Sequence, residues 1–223
     1  MPAISTLALR ANNVADRAFT RPQVEVNRAR LMGVTRTYSR GQEICGEGET
    51  ADHVFSVLSG AVRSFRVLTD GRRQISDFYF PGDLFGVEAG LERRASAEAL
   101  ADTVLIVARR SALADDGEGA TAARLWRLAV AELHRSQDHV LTLGRRSANE
   151  RVASFLLALA ERLGGGTCLE LPMSRQDIAD YLGLTIETVS RTLTQFQGAG
   201  LIELHGCRSI QFLKPRALEE LCR

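Results

Sequence analysis

The stretch LTIETVSRTL, residues 184–193, sets Glu187 three residues before Ser190 and four before Arg191. On a helix those intervals bring the three side chains onto neighbouring turns of one face. Their chemistry suits the edges of base pairs. Arginine donates two hydrogen bonds to guanine, glutamate accepts from the amino group of cytosine, and serine adds a neutral bond or a methyl contact. The plain structural alternative is an ion pair between Glu187 and Arg191 at i, i+4 on a solvated face. Both readings can hold together, because such a pair orients the arginine. A glutamate facing phosphates is repelled, so at a DNA surface Glu187 must aim at a base donor or at Arg191.

The surrounding elements favour DNA. MSRQDIADYLGL opens with Ser174 and, three residues on, Asp177, a capping-box-like start to a helix. Ile178, Ala179 and Leu182 form its apolar face, Gly183 gives a tight turn, and Thr185 is a natural N-cap for the next helix. That second helix turns Val189, Leu193 and Phe196 inward and Glu187, Ser190, Arg191 and Gln195 outward. A helix, a glycine turn and a second helix of this length make a helix-turn-helix. The N-terminal half of its second helix enters the major groove. GLIELHGCRSIQFL then gives two alternating strands around His205-Gly206, a wing hairpin. In this setting Glu187, Ser190 and Arg191 read bases. Ser174, Arg175, Thr185, Thr188, Gln195 and Arg208 hold phosphates or set register.

Upstream, the character differs. From about Thr35 to Arg109, runs such as HVFSVL, GAVRSFRVL and RQISDFYF are rich in Val, Ile and Phe and end in SG, TDGR or PGD turns. They predict an antiparallel sandwich or roll of many short strands. From about Thr121, Ala122, Trp126, Ala129, Leu133, Ser136, Val140 and Leu143 recur at steps of four and three, a heptad seam without formal charge. Its small and polar members suit the close approach of an identical helix, and so a parallel homodimer. ERVASFLLALAERL continues as an amphipathic helix and ends at GGGTC. The fold class expected is α+β. Residues 1–24 form an N-terminal arm, 25–117 an antiparallel β-roll, 118–145 a dimerisation helix and 146–223 a winged helix-turn-helix domain.

Composition narrows the classes further. The 223 residues are 45% hydrophobic and 25% charged, ordinary for a globular protein. A net charge of +1 announces no nucleic-acid partner, so any DNA contact comes from local placement. Of the 28 basic residues only Lys214 is a lysine. The four cysteines, Cys45, Cys168, Cys207 and Cys222, lie far apart without a CxxC pair, which argues against structural zinc or a disulfide scaffold and fits a reducing cytoplasm. No apolar run approaches the roughly 20 residues of a membrane span. The start, MPAISTLALRANNVADRAF, lacks the layout of a signal peptide. No Ser/His/Asp set, carboxylate pair, phosphate-cradling loop or metal-ligand spacing points to an enzyme.

GQEICGEGE, LSGAVRSFRVLTDGRRQISDFYFPGDLFG and RQDIADYLGLTIETVSRTL, in this order, resemble the CRP/FNR superfamily of transcription regulators. ETVSR and FGVEAGLERRASAEAL are similar to its FNR/FixK branch; Ile186 stands where the CRP branch usually has an arginine. The resemblance implies an activator that binds a TTGAT-N4-ATCAA-like palindrome in double-stranded DNA and governs low-oxygen, anaerobic or nitrogen-fixation genes. It implies contact with RNA polymerase through Pro81, Gly82, Asp83 and Leu84, or through Asp115-Asp116.

The resemblance raises three sensory chemistries. Cyclic AMP needs a glutamate soon after a glycine and an Arg-Ser pair; here Glu88 is displaced by one residue and Arg93 is followed by Arg94. A cyclic-nucleotide-responsive regulator, or a nucleotide-binding regulatory module, is the rival reading. An iron–sulfur cluster needs several thiolates, and residues 1–44 contain no cysteine. Haem needs an axial ligand, for which His53 and His139 are candidates. The FixK type needs no such cofactor, and Ser136 leaves the seam neutral where related regulators can carry an opposing aspartate. Cys207, between His205 and Arg208, is open to two roles, a redox-sensitive thiol or an inert one.

Overall fold

The computed structural model describes residues 33–113, 120–145 and 147–222. The N-terminal arm expected over 1–24 and the Asp115-Asp116 pair lie outside the described residues. Eight short strands build the first part: β1 (Val34–Tyr38), β2 (Glu43–Cys45), β3 (His53–Ser59), β4 (Val62–Val67), β5 (Arg73–Tyr79), β6 (Leu84–Phe85), β7 (Ser96–Ala99) and β8 (Thr103–Arg109). They pair antiparallel in two four-stranded sheets, ordered β1-β8-β3-β6 and β2-β7-β4-β5. Tyr38, Phe55, Val57, Val62, Tyr79, Phe85 and Leu105 pack between them. The rings of Phe55, Phe85 and Tyr79 stack in succession, each 4.9 Å from the next. The β3–β4 turn requires Gly60: its φ is 86°, and a Cβ there would lie 2.6 Å from the Asp102 carbonyl oxygen.

A bulge in β5 gives the second sheet another use. Asp77 pairs with Ser64 and Ile75 with Phe65, leaving Ser76 as the extra residue. That extra residue brings Ile75 onto the face occupied by Phe78, and both join the core of the C-terminal part. The two parts of the chain therefore pack into each other.

The long helix α1 (Ala120–Arg145) is followed by α2 (Ala148–Arg162). A capping box between Ser147 and Glu150 starts α2 afresh. Then come β9 (Cys168–Glu170), α3 (Arg175–Leu182), α4 (Ile186–Gly198), β10 (Ile202–His205), β11 (Ser209–Phe212) and α5 (Pro215–Glu220). The wing expected from two strands has a third: β9 pairs with β11 on the side away from β10. Val152, Leu156, Ile178, Leu182, Val189, Leu193, Phe196, Ile202 and Ile210 form the buried centre of this part. Among the described residues no helix is long and apolar enough to cross a membrane.

Ionic and aromatic contacts tie α1, α2 and α3 to β5. Buried Asp77 accepts from the Phe78 amide at 2.7 Å and lies between Arg135 of α1 (3.4 Å) and Arg162 of α2 (3.5 Å). Burial pushes its carboxyl up despite these cations. The Phe78 ring meets those of Phe155 and Tyr181. His139 of α1 packs 3.9 Å from the Tyr181 ring, and its Nε2–H donates to the Tyr181 carbonyl oxygen at 2.9 Å.

Burial holds the His139 imidazole below its ordinary range, although the Tyr181 carbonyl and the Asp77 charge favour the proton. A depressed pKa for a base means that the folded state prefers the neutral form. This stability is present above the ordinary imidazole pKa and is lost as pH falls below about 6.5. His139→Gln is expected to lose less thermal stability than the parent between about pH 7.5 and 5.5. Equal losses in parallel melting curves would show that His139 has no such part.

Candidate nucleic-acid interface

Local signals build the helix-turn-helix. Ser174 Oγ accepts from the Asp177 amide (3.1 Å) and donates to Asp177 Oδ2 (2.7 Å), which also accepts from the Ser174 amide (2.9 Å). This capping box fixes the start of α3. Its end is Gly183, at φ 61° and ψ 41°, a left-handed conformation that costs other residues roughly 1–2 kcal/mol. Thr185 then caps α4, accepting from the Thr188 amide at 3.3 Å. Val189, Thr192, Leu193 and Phe196 are buried, which leaves the opposite face of α4 outward.

On that face Glu187, Arg191 and Gln195 are exposed. The alternative of an ion pair between Glu187 and Arg191 is not realised: both are exposed and no such pair forms among the described residues. Hydrogen bonds from its own backbone N–H and from the Thr185 hydroxyl hold the Glu187 carboxyl below its usual range, with a smaller contribution from Arg191. A carboxylate in the first turn of a helix also meets the positive end of the helix dipole. Glu187 is thus stable as an anion without Arg191, and the guanidinium is left to project from the helix. Ser190 is half-buried, and Arg175 of α3 donates to its hydroxyl at 3.5 Å.

The residues expected to meet phosphates divide. Gln195 and Thr185 are exposed, and Thr185 and Thr188 join their hydroxyls at 3.1 Å. Ser174 has committed both its hydroxyl and its amide donor to Asp177, which makes it a helix cap. Arg208 is half-buried on the wing turn, a separate element from α4, where its carbonyl accepts from the Leu171 amide at 2.7 Å. Cys207 is exposed there, but His205 directs its Nε2 to Gln211 (3.2 Å) and Glu203 (3.7 Å).

Elsewhere the expectations meet different surroundings. Along α1, Trp126, Ala129, Leu133, Ser136 and Val140 are exposed, with Trp126 at 71% and Val140 at 68%. Leu143 is half-buried beside Gly183, and the Ala122 side chain lies outside the described residues. The Pro81–Leu84 turn, the polymerase contact that the resemblance implies, is half-buried. Asp83 accepts from the Phe80 amide (2.8 Å) and from Arg162 of α2 (3.0 Å), which draws the turn against the C-terminal part.

A cavity of about 470 Å³ opens between the roll and α1, lined in part by Tyr79, Phe85, Glu88, Arg93, Arg94 and Glu132. Arg93 is only 5% exposed, donates to the His53 carbonyl at 2.9 Å and lies over the Phe55 ring at 5.0 Å. Glu88 accepts from the Arg94 amide at 3.3 Å. Arg93 and Glu88 are thus bonded within the roll, whereas Arg94 lines the cavity as an exposed side chain. Burial pushes the Cys45 thiol up, away from the thiolate that a metal prefers. His139 has its Nε2 engaged, as described above.

Sequence reasoning missed several positioning residues. Asn149 of α2 accepts from Thr192 of α4 (3.1 Å), and Arg151 donates to the Leu182 carbonyl (3.1 Å) at the end of α3. Arg63 and Arg73 of the roll reach Asp177. These partners lie 31 or more residues apart in sequence, so no local spacing announces them.

The model of a cyclic nucleotide-binding domain matches residues 35–115, and that of a Crp-like helix-turn-helix domain matches residues 150–221. The chain is 47% identical over 186 residues to the nitrogen fixation regulation protein FixK of Rhizobium meliloti, covering 83% of this chain and 86% of that protein. Identity with the transcriptional activatory protein AadR of Rhodopseudomonas palustris is 40% over 171 residues, covering 74% and 72%. Among solved structures, FixK2 from Bradyrhizobium japonicum superposes with a TM-score of 0.82 at 45% identity, covering 86% of this chain and 98% of that one. A roll of two antiparallel sheets, a long helix and a winged helix-turn-helix, with these relatives, make the chain a member of the FixK type of the CRP/FNR family of DNA-binding transcription regulators.

Proposed function

We propose that the chain is a cytoplasmic homodimeric activator that binds a TTGAT-N4-ATCAA-like palindrome and needs no small ligand to do so. The observation that carries this reading is the exposure of Glu187 and Arg191 on the first turns of α4. Arg191 reads guanine and Glu187 the cytosine amino group, with Ser190 adding a contact where Arg175 leaves room. Thr185, Thr188, Gln195 and Arg208 set register on the phosphates. The name of FixK supports genes of nitrogen fixation as the targets, and that of AadR supports activation. Activation requires RNA polymerase as a partner; the Pro81–Leu84 turn offers only partial exposure for that contact.

Dimerisation is supported by the neutral stripe of Trp126, Ala129, Leu133, Ser136 and Val140, which a single chain leaves in water. Pairing two such helices removes this surface, and no like charges oppose them. Oxygen-independent assembly follows, since no group on the seam is a redox or metal centre. Redox control through Cys207 has no support beyond its exposure.

Two outcomes are expected. Arg191→Ala weakens binding to the palindrome by about 1–3 kcal/mol and relaxes preference at one base pair per half-site; unchanged affinity and preference would show that α4 does not dock as proposed. By light scattering at micromolar concentration the parent chain is a dimer in air. Ser136→Asp, which sets like charges across the seam, shifts it toward monomer. A monomeric parent would defeat the ligand-free dimer.

A further inference from the structure

Asp177 does more than cap α3. While its Oδ2 holds Ser174, its Oδ1 accepts from Arg63 Nη1 of β4 and, at 2.7 Å, from Arg73 Nη2 of β5. Arg73 also donates through Nε to Asp180 Oδ2 at 2.8 Å, and Gln176 steadies Asp180 through its other oxygen at 2.6 Å. Arg63 is anchored in its own sheet by Glu98 at 2.8 Å. The two guanidinium groups lie 5.6 and 5.7 Å from the Phe65 ring. Asp177 is 3% exposed, so this is a buried ionic junction between the roll and the first helix of the helix-turn-helix.

We propose that Arg63 and Arg73 are positioning residues for operator recognition, fixing through Asp177 and Asp180 the angle at which the helix-turn-helix is held on the roll. Simple adhesion does not need such a set. Apolar side chains of similar volume hold two surfaces together as well or better, because buried ions lose hydration. What the junction adds is direction. Arg73 grips two carboxylates one helical turn apart on α3, and Arg63 shares one of them from the neighbouring strand. Translation along α3 or rotation about it breaks these bonds. The reading face stays open meanwhile, since Glu187 and Arg191 are exposed. The junction therefore presents α4 rather than hiding it.

This inference rests on the palindrome reading above. Two α4 helices must reach half-sites about one helical turn apart, so the angle of each on its roll sets the half-site spacing that the dimer accepts. Loss of the junction thus changes spacing preference as well as affinity. A role in stability alone lowers the melting temperature and leaves the spacing preference where it was.

The test titrates full-length chains against three duplexes that share half-sites and differ in spacer, N3, N4 and N5, by fluorescence anisotropy at one salt concentration. The parent is expected to favour N4 clearly; a parent without that preference would overturn the palindrome reading itself. Arg73→Gln is expected to bind N4 about tenfold more weakly, within the usual range for coupling between sites, and to discriminate less among spacers. Should it not fold, Arg73→Lys, which keeps the charge and loses the fork, supplies the same comparison. The exchanged pair Arg73→Asp with Asp180→Arg is expected to regain part of both properties that either change alone removes. A folded dimeric Arg73 variant with the parent's affinity and spacer preference would overturn the inference, as would one that binds N4 more tightly.

Discussion

A carboxylate taken out of water costs several kcal/mol unless donors replace its hydration. Asp177 illustrates how the whole molecule answers that demand. One oxygen takes the amide and hydroxyl of Ser174, and the other takes guanidinium donors from two strands of the roll. The first set of bonds starts α3, and the second seats α3 on the roll. The direction of α3 determines, through the left-handed Gly183, the direction of α4 and of the side chains it turns outward. Removing either set leaves a buried charge without its partners, so local helix formation and domain docking stand or fall together at this residue. Asp77 plays a weaker counterpart role between Arg135 and Arg162, and there burial still raises the carboxyl.

The helix-turn-helix was legible because its signals are local. Ser174 and Asp177 lie three residues apart, Gly183 follows the last apolar residue, and Thr185 precedes the next helix; each spacing maps onto a hydrogen bond or a dihedral angle. The roll was legible from alternation and turn residues. What escaped was everything that depends on distant pairing. Arg63 and Arg73 meet Asp177 across 114 and 104 residues. Ser76 gives no sign in sequence that it will bulge, yet that bulge turns Ile75 toward the C-terminal core. The third wing strand, Cys168–Glu170, is too short to show a period and begins at the last residue of GGGTC. At Glu187 the alternative partner at i+4 contributes less than the residue's own amide and Thr185, whose place the cap fixes.

The roll keeps the shape of a cyclic nucleotide-binding domain. Arg93 gives one donor to a strand carbonyl and its cationic face to Phe55, while Arg94 lines the cavity beside the stacked aromatics as an exposed side chain. The same sheets form a seat, receiving α1 through Arg135 and Glu132 and the DNA-binding part through Arg162, Phe78 and Asp177.

The most direct measurement is a fluorescence-anisotropy titration of the purified chain, in air and without added ligand, at fixed salt because DNA affinity depends steeply on it. One duplex carries TTGAT-N4-ATCAA and the other TGTGA half-sites. A ligand-free FixK-type dimer binds the first tightly and the second only as it binds any DNA. Preference for the second, or silence toward both until cyclic AMP, haem or anaerobic conditions are supplied, would contradict it.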